Sequence, residues 1–329
     1  MQTVYIVLIA AGALLFAVAA ALLVFYFRLP RLFAEKLSSA FDNGDTKKPA
    51  DYETYAARVR TVKNVKYPSP LPNSVYDIYL PRETSGPLPV IFWIHGGGFT
   101  AGSKDGTEAL CTLLSAHGYA VVSADYAYAP QYKFPAVARQ IADAVRSLSS
   151  PEGYDLDLSR VIIGGDSAGG HYCAQYAAAH TNPAYAAALG VKPAGNVRLA
   201  GVVLCCAPLD IATMLPPVNF KYKLLANTFF NGYFGFSPRR KRRGKALSDI
   251  GRFVTAEFPP AFLTDGNTFS FEKQNRAFGR RLAECGVKTQ EVYFDKEKRG
   301  VVNHEYLFEL DTPLAMEGLR LLLGFLEEL

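Results

Sequence analysis

Gly165-Asp166-Ser167-Ala168-Gly169 sets a serine between two glycines, with the apolar run Val161-Ile162-Ile163 before it and a small-residue stretch after it. In a strand-turn-helix setting that spacing has a physical use. The glycines permit a bend too tight for side chains, which lifts the serine oxygen above a sheet edge, and the following helix aims its first N–H groups at negative charge developing there. A serine hydroxyl is almost wholly protonated near neutral pH and needs a base to become a nucleophile. There are five histidines. His95 lies in a glycine run, His117 at a helix end, and His171 and His180 on the helix after the serine. His304 follows the charged loop 296–303 and precedes a terminal helix, where the chain order serine, acid, histidine places the base. Ser167 as nucleophile and His304 as base are therefore the expected pair.

A second constellation is His95-Gly96-Gly97-Gly98-Phe99, directly after the apolar run 90–94. Three residues without side chains let backbone N–H groups approach a tetrahedral oxyanion. Gly96 and Gly97 are expected to donate, helped by the N–H of Ala168. A phosphate-cradling loop would need the P-loop lysine, which the spacing lacks. His95 is read as a structural residue that orients the loop.

These residues need a scaffold that brings strand ends together. Apolar runs alternate with amphipathic stretches, as in a layered α/β fold with a mostly parallel sheet and helices on both faces. Strands are expected over 75–80, 90–94, 120–124, 161–163, 202–205, 261–264 and 290–294. Helices are expected over 107–117, 135–148, 168–180, 271–285 and 314–328. The rhythm breaks between Cys206 and Ala261, where Pro216-Pro217, the aromatics Phe229, Phe230, Tyr233, Phe234 and Phe236, and a basic run occur. An insertion of that size above a strand's carboxyl end is usually a lid or cap.

Both glycine motifs, with Asp125-Tyr126-Ala127-Tyr128-Ala129-Pro130 and Phe134-Pro135-Ala136 between them, resemble the hormone-sensitive-lipase-like family of esterases. The similarity runs from about residue 67 to the carboxyl end. It implies an α/β-hydrolase core, acyl-ester hydrolysis with no metal or organic cofactor, and a cap made of the amino-terminal segment plus the insertion. It also implies that Asp125 supports structure rather than chemistry. The triad acid departs from the family pattern, because alignment on Gly266 puts Thr268 or Phe269 at its position. Asp265 is the nearest carboxylate at that strand's end and is the expected partner of His304 Nδ1. Asp210 and Glu272 are the alternatives, and capping is the other use of an aspartate in such a turn. An amidase or a carbohydrate deacetylase would use the same residues. A ligand-binding pseudo-hydrolase would keep the scaffold without turnover.

Half of the chain's 329 residues are hydrophobic and 13% aromatic, which excludes a disordered or low-complexity chain. Residues 4–27 carry no charge. At about 1.5 Å per residue they are long enough for a hydrocarbon core of about 30 Å. This reads as a single-pass membrane anchor, and a cleaved signal peptide is the rival, although Met1, Gln2 and Thr3 give no basic leader. Arg28, Arg31 and Lys36 follow the segment, so the positive-inside rule puts the catalytic domain on the cytoplasmic side. The domain plan is an anchor over 1–28, a linker and amino-terminal cap segment over 29–66, broken by Pro30, Asn43-Gly44 and Pro49 with short helices over 31–41 and 52–62, and a hydrolase domain over 67–329 with a cap insertion at about 211–257.

The net charge of +5 is modest and much of the excess sits in Arg239, Arg240, Lys241, Arg242, Arg243 and Lys245. Nucleic acid is not an expected partner. A solvated loop or contact with anionic lipid are the readings of that run. Five scattered cysteines show no metal-ligand spacing and read as reduced core residues, which suits a cytosolic-facing domain.

Overall fold

The computed structural model describes residues 2–41, 47–148, 155–215 and 218–329. The breaker Asn43-Gly44 and the pair Pro216-Pro217 lie outside the described residues. The chain opens with helices α1 (Gln2–Phe41) and α2 (Tyr52–Ala56), followed by strands β1 (Val59–Lys66), β2 (Val75–Pro81) and β3 (Leu88–Ile94). Helix α3 (Glu108–Ala116), strand β4 (Ala120–Ala124), helix α4 (Ala136–Ser147) and strand β5 (Leu156–Asp166) come next. Beyond them lie α5 (Ser167–Thr181), α6 (Pro183–Leu189), β6 (Leu199–Cys205), and the insertion's helices α7 (Phe220–Phe234) and α8 (Pro238–Leu247). Strand β7 (Ala261–Asp265), α9 (Glu272–Glu284), β8 (Thr289–Tyr293), α10 (Lys296–Arg299) and α11 (Pro313–Glu327) complete the chain.

The described strands form one eight-stranded sheet in the order β1-β2-β4-β3-β5-β6-β7-β8. Pairing is antiparallel for β1 with β2 and β2 with β4, and parallel from β4 through β8. Strand β3 shows why both faces are covered. Val90, Phe92 and Ile94 point to one side and Ile91 and Trp93 to the other, all at most 1% exposed, as the two-residue period of a doubly covered strand requires. The first set packs with α4 and α5, and the second with α3 and α11. Local signals fix the helix starts. Thr312 and Ser237 each accept a hydrogen bond from the third residue of the helix they cap, and each precedes a proline at the first helical position.

Three expectations are corrected. The helix expected over 52–62 ends at Ala56, and the chain turns into β1, because Val59, Thr61, Val62 and Val65 are β-branched and fit the sheet edge better than a helix. The hydrolase sheet therefore begins before residue 67. Pro30 does not break α1, which runs through it. A proline inside a helix costs about 3 kcal/mol, and here Pro30 is buried beside Gly232 of α7.

The second half of α1 is thus part of the cap. Tyr26 and Phe27 pack on Phe236, and Asn231 Nδ2 donates to Tyr26 Oη at 3.2 Å. Phe229, Phe230, Tyr233 and Phe234 of the insertion are buried and do not form an open surface. Phe229 and Tyr233 close on Phe99 of the glycine loop, with ring centroids 5.9 and 4.8 Å away, and make the joint between cap and body. The first half of α1 is apolar and, where its side chains are described, exposed; α1 is long and apolar enough to cross a membrane, a test that a signal sequence also passes.

Glycine placement gives a test of this packing. A Cβ on Gly169 would overlap the Ile94 carbonyl, whereas exposed Gly324 in α11 has open space around it. Gly169→Ala is expected to lower unfolding stability by about 1–3 kcal/mol and Gly324→Ala to raise it by up to about 1 kcal/mol, as read from urea denaturation curves.

Candidate active site

All the chemistry-bearing positions converge at the carboxyl ends of the parallel strands, the crevice where open α/β sheets place their sites. Asp166 closes β5, and Ser167 starts α5 with φ of +47°. A left-handed non-glycine residue at this turn is strained by about 1–3 kcal/mol, and its neighbours explain why it is held. A Cβ on Gly165 would stand 2.5 Å from the Ile94 carbonyl oxygen, so only glycine permits β5 and β3 to close around the bend.

His304 Nε2 lies 3.0 Å from Ser167 Oγ. It reaches there from the loop after β8, where His304 N–H donates to the Thr268 carbonyl at 3.1 Å. Its ring meets the edge of Phe271 at 5.4 Å. On its far side, Nδ1 faces Asp265 Oδ1 at 3.5 Å. Asp265 is fully buried and is fixed by the Phe271 N–H, which donates to Oδ2 at 2.7 Å. The alternative acids are elsewhere. Asp210 caps its own turn through Ala212 N–H and Thr213 Oγ1, and Glu272 pairs with Arg276 at 2.7 Å.

The other histidines have local uses. His95 is buried, stacks on Tyr126 at 4.4 Å and sits 3.5 Å from Asp125, which in turn accepts from Lys104 N–H at 2.7 Å. His171 is buried against the Pro208 carbonyl, and burial pushes its pKa down to about 4. His117 bonds the Leu113 carbonyl in its own helix, and His180 ends α5 beside Tyr176.

The glycine loop requires one correction. Gly96 N–H is not open to a substrate, because it donates to Asp166 Oδ2 at 2.6 Å while Trp93 Nε1 holds Oδ1 at 2.9 Å. Asp166 thus clamps the loop to the β5 turn. Gly97 has φ of +113°, and its carbonyl accepts from the N–H groups of Thr100 and Ala101. Among the described residues, nothing accepts from the N–H of Gly97, Gly98 or Ala168.

Asp166, Cys206 and Glu305 were not anticipated as contributors. Glu305 follows the histidine with φ of +61°, donates its N–H to Cys206 Sγ at 3.1 Å, and sets its carboxyl close to Gly96 and Asp166. Burial, then the nearby Asp166 charge, push its pKa up to about 7. Only its adjacency to His304 hinted at a role. For His304 itself, burial opposes the charged form, but the Asp265 carboxylate behind Nδ1 and the Glu305 and Asp166 carboxylates outweigh it, so its pKa stands above the ordinary value. Ligand atoms of Cys206, Asp265 and His304 lie within 4.8 Å of one another. That trio is a poor metal site, since burial pushes the thiol well up and keeps it protonated, and its sulfur already serves Glu305.

A family model for BD-FAE matches residues 76–271, more than half of the chain. The ethyl acetate hydrolase of Pseudomonas putida is 37% identical over 210 residues, which cover 61% of this chain and 62% of that protein. The acetyl esterase of Salmonella schwarzengrund is 29% identical over 111 residues, 33% of this chain and 34% of that one. The chain thus spans less than two thirds of either relative's length. Esterase B of Lactobacillus rhamnosis superposes with a TM-score of 0.76 at 20% identity, over 91% of this chain and 95% of that one. A bacterial heroin esterase does so with a TM-score of 0.65 at 21% identity, over 89% and 96%. The sheet order, the bend at its centre and these likenesses agree: the chain belongs to the BD-FAE family and has the α/β-hydrolase fold of the hormone-sensitive-lipase-like esterases.

Proposed function

We propose that this protein is a serine carboxylester hydrolase acting on short- to medium-chain acyl esters. The observation that carries the reading is the line Ser167 Oγ, His304 Nε2, His304 Nδ1, Asp265 Oδ1, with gaps of 3.0 and 3.5 Å at its two junctions. Ser167 Oγ attacks the ester carbonyl as His304 takes its proton. Asp265 keeps the imidazole in the tautomer with a free Nε2 and offsets its charge once protonated. The alkoxide of the tetrahedral intermediate is met by the N–H groups of Gly97 and Ala168, with unpaired Gly98 beside them in place of Gly96. Collapse expels the alcohol, which leaves with the proton from His304, and water then repeats the sequence on the acyl-enzyme. The names of the relatives, ethyl acetate hydrolase and acetyl esterase, favour a short acyl group.

In the same reading α1 spans a membrane, and Arg28, Arg31 and Lys36 keep the catalytic domain on the cytoplasmic side. The basic run Arg239, Arg240, Lys241, Arg242 and Arg243 lies on α8 and begins three residues after Phe236, which contacts Tyr26 and Phe27. It would then face the headgroup layer, where each basic residue attracts anionic lipid by about 1 kcal/mol.

Two experiments test the chemistry. Ser167→Ala is expected to abolish labelling by a fluorophosphonate probe and to lower kcat for p-nitrophenyl acetate by about 10⁴-fold or more; full turnover in that variant would refute the proposal and favour a binding protein. Asp265→Asn is expected to lower kcat/KM by roughly 10³- to 10⁴-fold. It should also move the acid limb of the pH profile to lower pH. The base works in its neutral form, Asp265 holds the His304 pKa up, and removing that charge lets the imidazole lose its proton at lower pH. A limb that moved to higher pH would contradict the assignment.

A further inference from the structure

A cavity of about 340 Å³ lies away from the triad, between the start of α4, the end of α6 and the cap helices α7 and α8. Its charged lining consists of Lys133, Arg139, Arg240 and Arg243, on an apolar floor that includes Phe134 and Phe234, and no aspartate or glutamate lines it. Three of the cations are held in place by backbone. Lys133 Nζ donates to the Pro130 carbonyl at 2.8 Å, Arg139 Nε to Leu189 at 3.0 Å, and Arg243 Nη2 to Ala188 at 2.9 Å. Arg240 makes no side-chain hydrogen bond with any described residue. Capping of the α6 carboxyl end accounts for one N–H of Arg139 and one of Arg243. It does not account for Lys133 and Arg240, whose stems both flank Gly235.

Four cations around one hollow with no counter-charge repel one another, and an anion with several acceptor oxygens would relieve that cost. Guanidinium groups suit phosphate because two parallel N–H donors match two oxygens. The position indicates which phosphate. Phe236 packs on Tyr26 and Phe27, the last aromatics of the apolar part of α1, with ring centroids 5.4 and 4.6 Å apart. Arg240 follows four residues later, in the first turn of α8.

We propose that this cavity binds the phosphate headgroup of an anionic membrane lipid, seating the cap on the bilayer surface beside the anchor. The proposal rests on the membrane reading of α1 given above and narrows the lipid contact from a diffuse basic run to a site. Lys133 and Arg139 of the body join Arg240 and Arg243 of the cap in it, and Arg239 and Arg242 stand outside.

The test uses the full chain in nonionic detergent micelles, titrated with dioctanoyl phosphatidic acid, dioctanoylglycerol or inorganic phosphate and read by thermophoresis. Phosphatidic acid is expected to bind saturably. It should weaken roughly 25-fold in the Arg240→Gln, Arg243→Gln double variant, at about fivefold per cation removed. The charge-matched control Arg82→Gln, Arg320→Gln should bind as the parent does, dioctanoylglycerol should not bind, and Lys133→Gln alone should weaken binding by about fivefold. Unchanged affinity in the double and Lys133 variants overturns the proposal. Inorganic phosphate binding as tightly as phosphatidic acid overturns the lipid assignment in favour of a soluble phosphate. Extraction of the cell-expressed protein by alkaline carbonate decides the membrane span separately, since the micelle isotherm reports on the cavity whichever way extraction falls.

Discussion

The site depends on one backbone constraint: Ser167 is held in the left-handed region at the point where β5 becomes α5. No side chain can sit at Gly165 or Gly169, because β3 passes directly against the bend with its Ile94 carbonyl. That close approach sets the Ser167 oxygen above the sheet and brings the glycine loop, which continues β3, alongside the same turn. Two elements far apart in sequence are thus fixed relative to each other by the absence of side chains. Asp166 completes the joint by binding Trp93 of β3 and Gly96 of the loop with its two oxygens. The residue preceding Ser167 therefore has no need to touch substrate to matter. It determines which of the three glycines keep their N–H groups free.

Charge is distributed around His304 with the same economy. Asp265 lies behind the ring, fixed by a backbone N–H, and Asp166 and Glu305 lie on the loop side. Three carboxyl groups near one imidazole favour its protonated form, which is the form the proposed mechanism generates. They cannot all be charged without mutual repulsion, and burial pushes both Asp166 and Glu305 up, Glu305 to about 7. The buried thiol of Cys206, sharing its sulfur with the Glu305 N–H, sets the turn that carries the histidine.

Much of this was legible in residue types. The alternation of apolar and amphipathic stretches led to the seven strands β2 to β8, most clearly to β3, β4, β6 and β7, which are buried on both faces and largely apolar. Glycine spacing marked the bend, and chain order marked His304 among five histidines. The edge strand β1 was not legible, since its burial is one-sided and its Val59, Val62 and Val65 can be counted on a helical period as easily as an alternating one. Pro30 misled for a related reason: its cost in a helix is local, and the packing on α7 that offsets it is not. Gly96 was misassigned because equivalence in sequence hid a difference in partners, and only the fold brings Asp166 to one glycine and leaves the next two unpaired. Asp265 stood at a position where its family resemblance argued against it, and its place at the end of β7 argued for it.

The cap joins these features to the apolar helix. Phe229 and Tyr233 pack against Phe99 and tie the insertion to the glycine loop. The account as a whole is tested most directly by a crystal structure of the protein inactivated with a short-chain alkyl phosphonate. It predicts a bond from Ser167 Oγ to phosphorus, His304 Nε2 within hydrogen-bond distance of that oxygen, and the phosphoryl oxygen between the N–H groups of Gly97 and Ala168, with Gly96 still bound to Asp166. A phosphoryl oxygen turned to solvent or held by Gly96, or an adduct on another side chain, would contradict it.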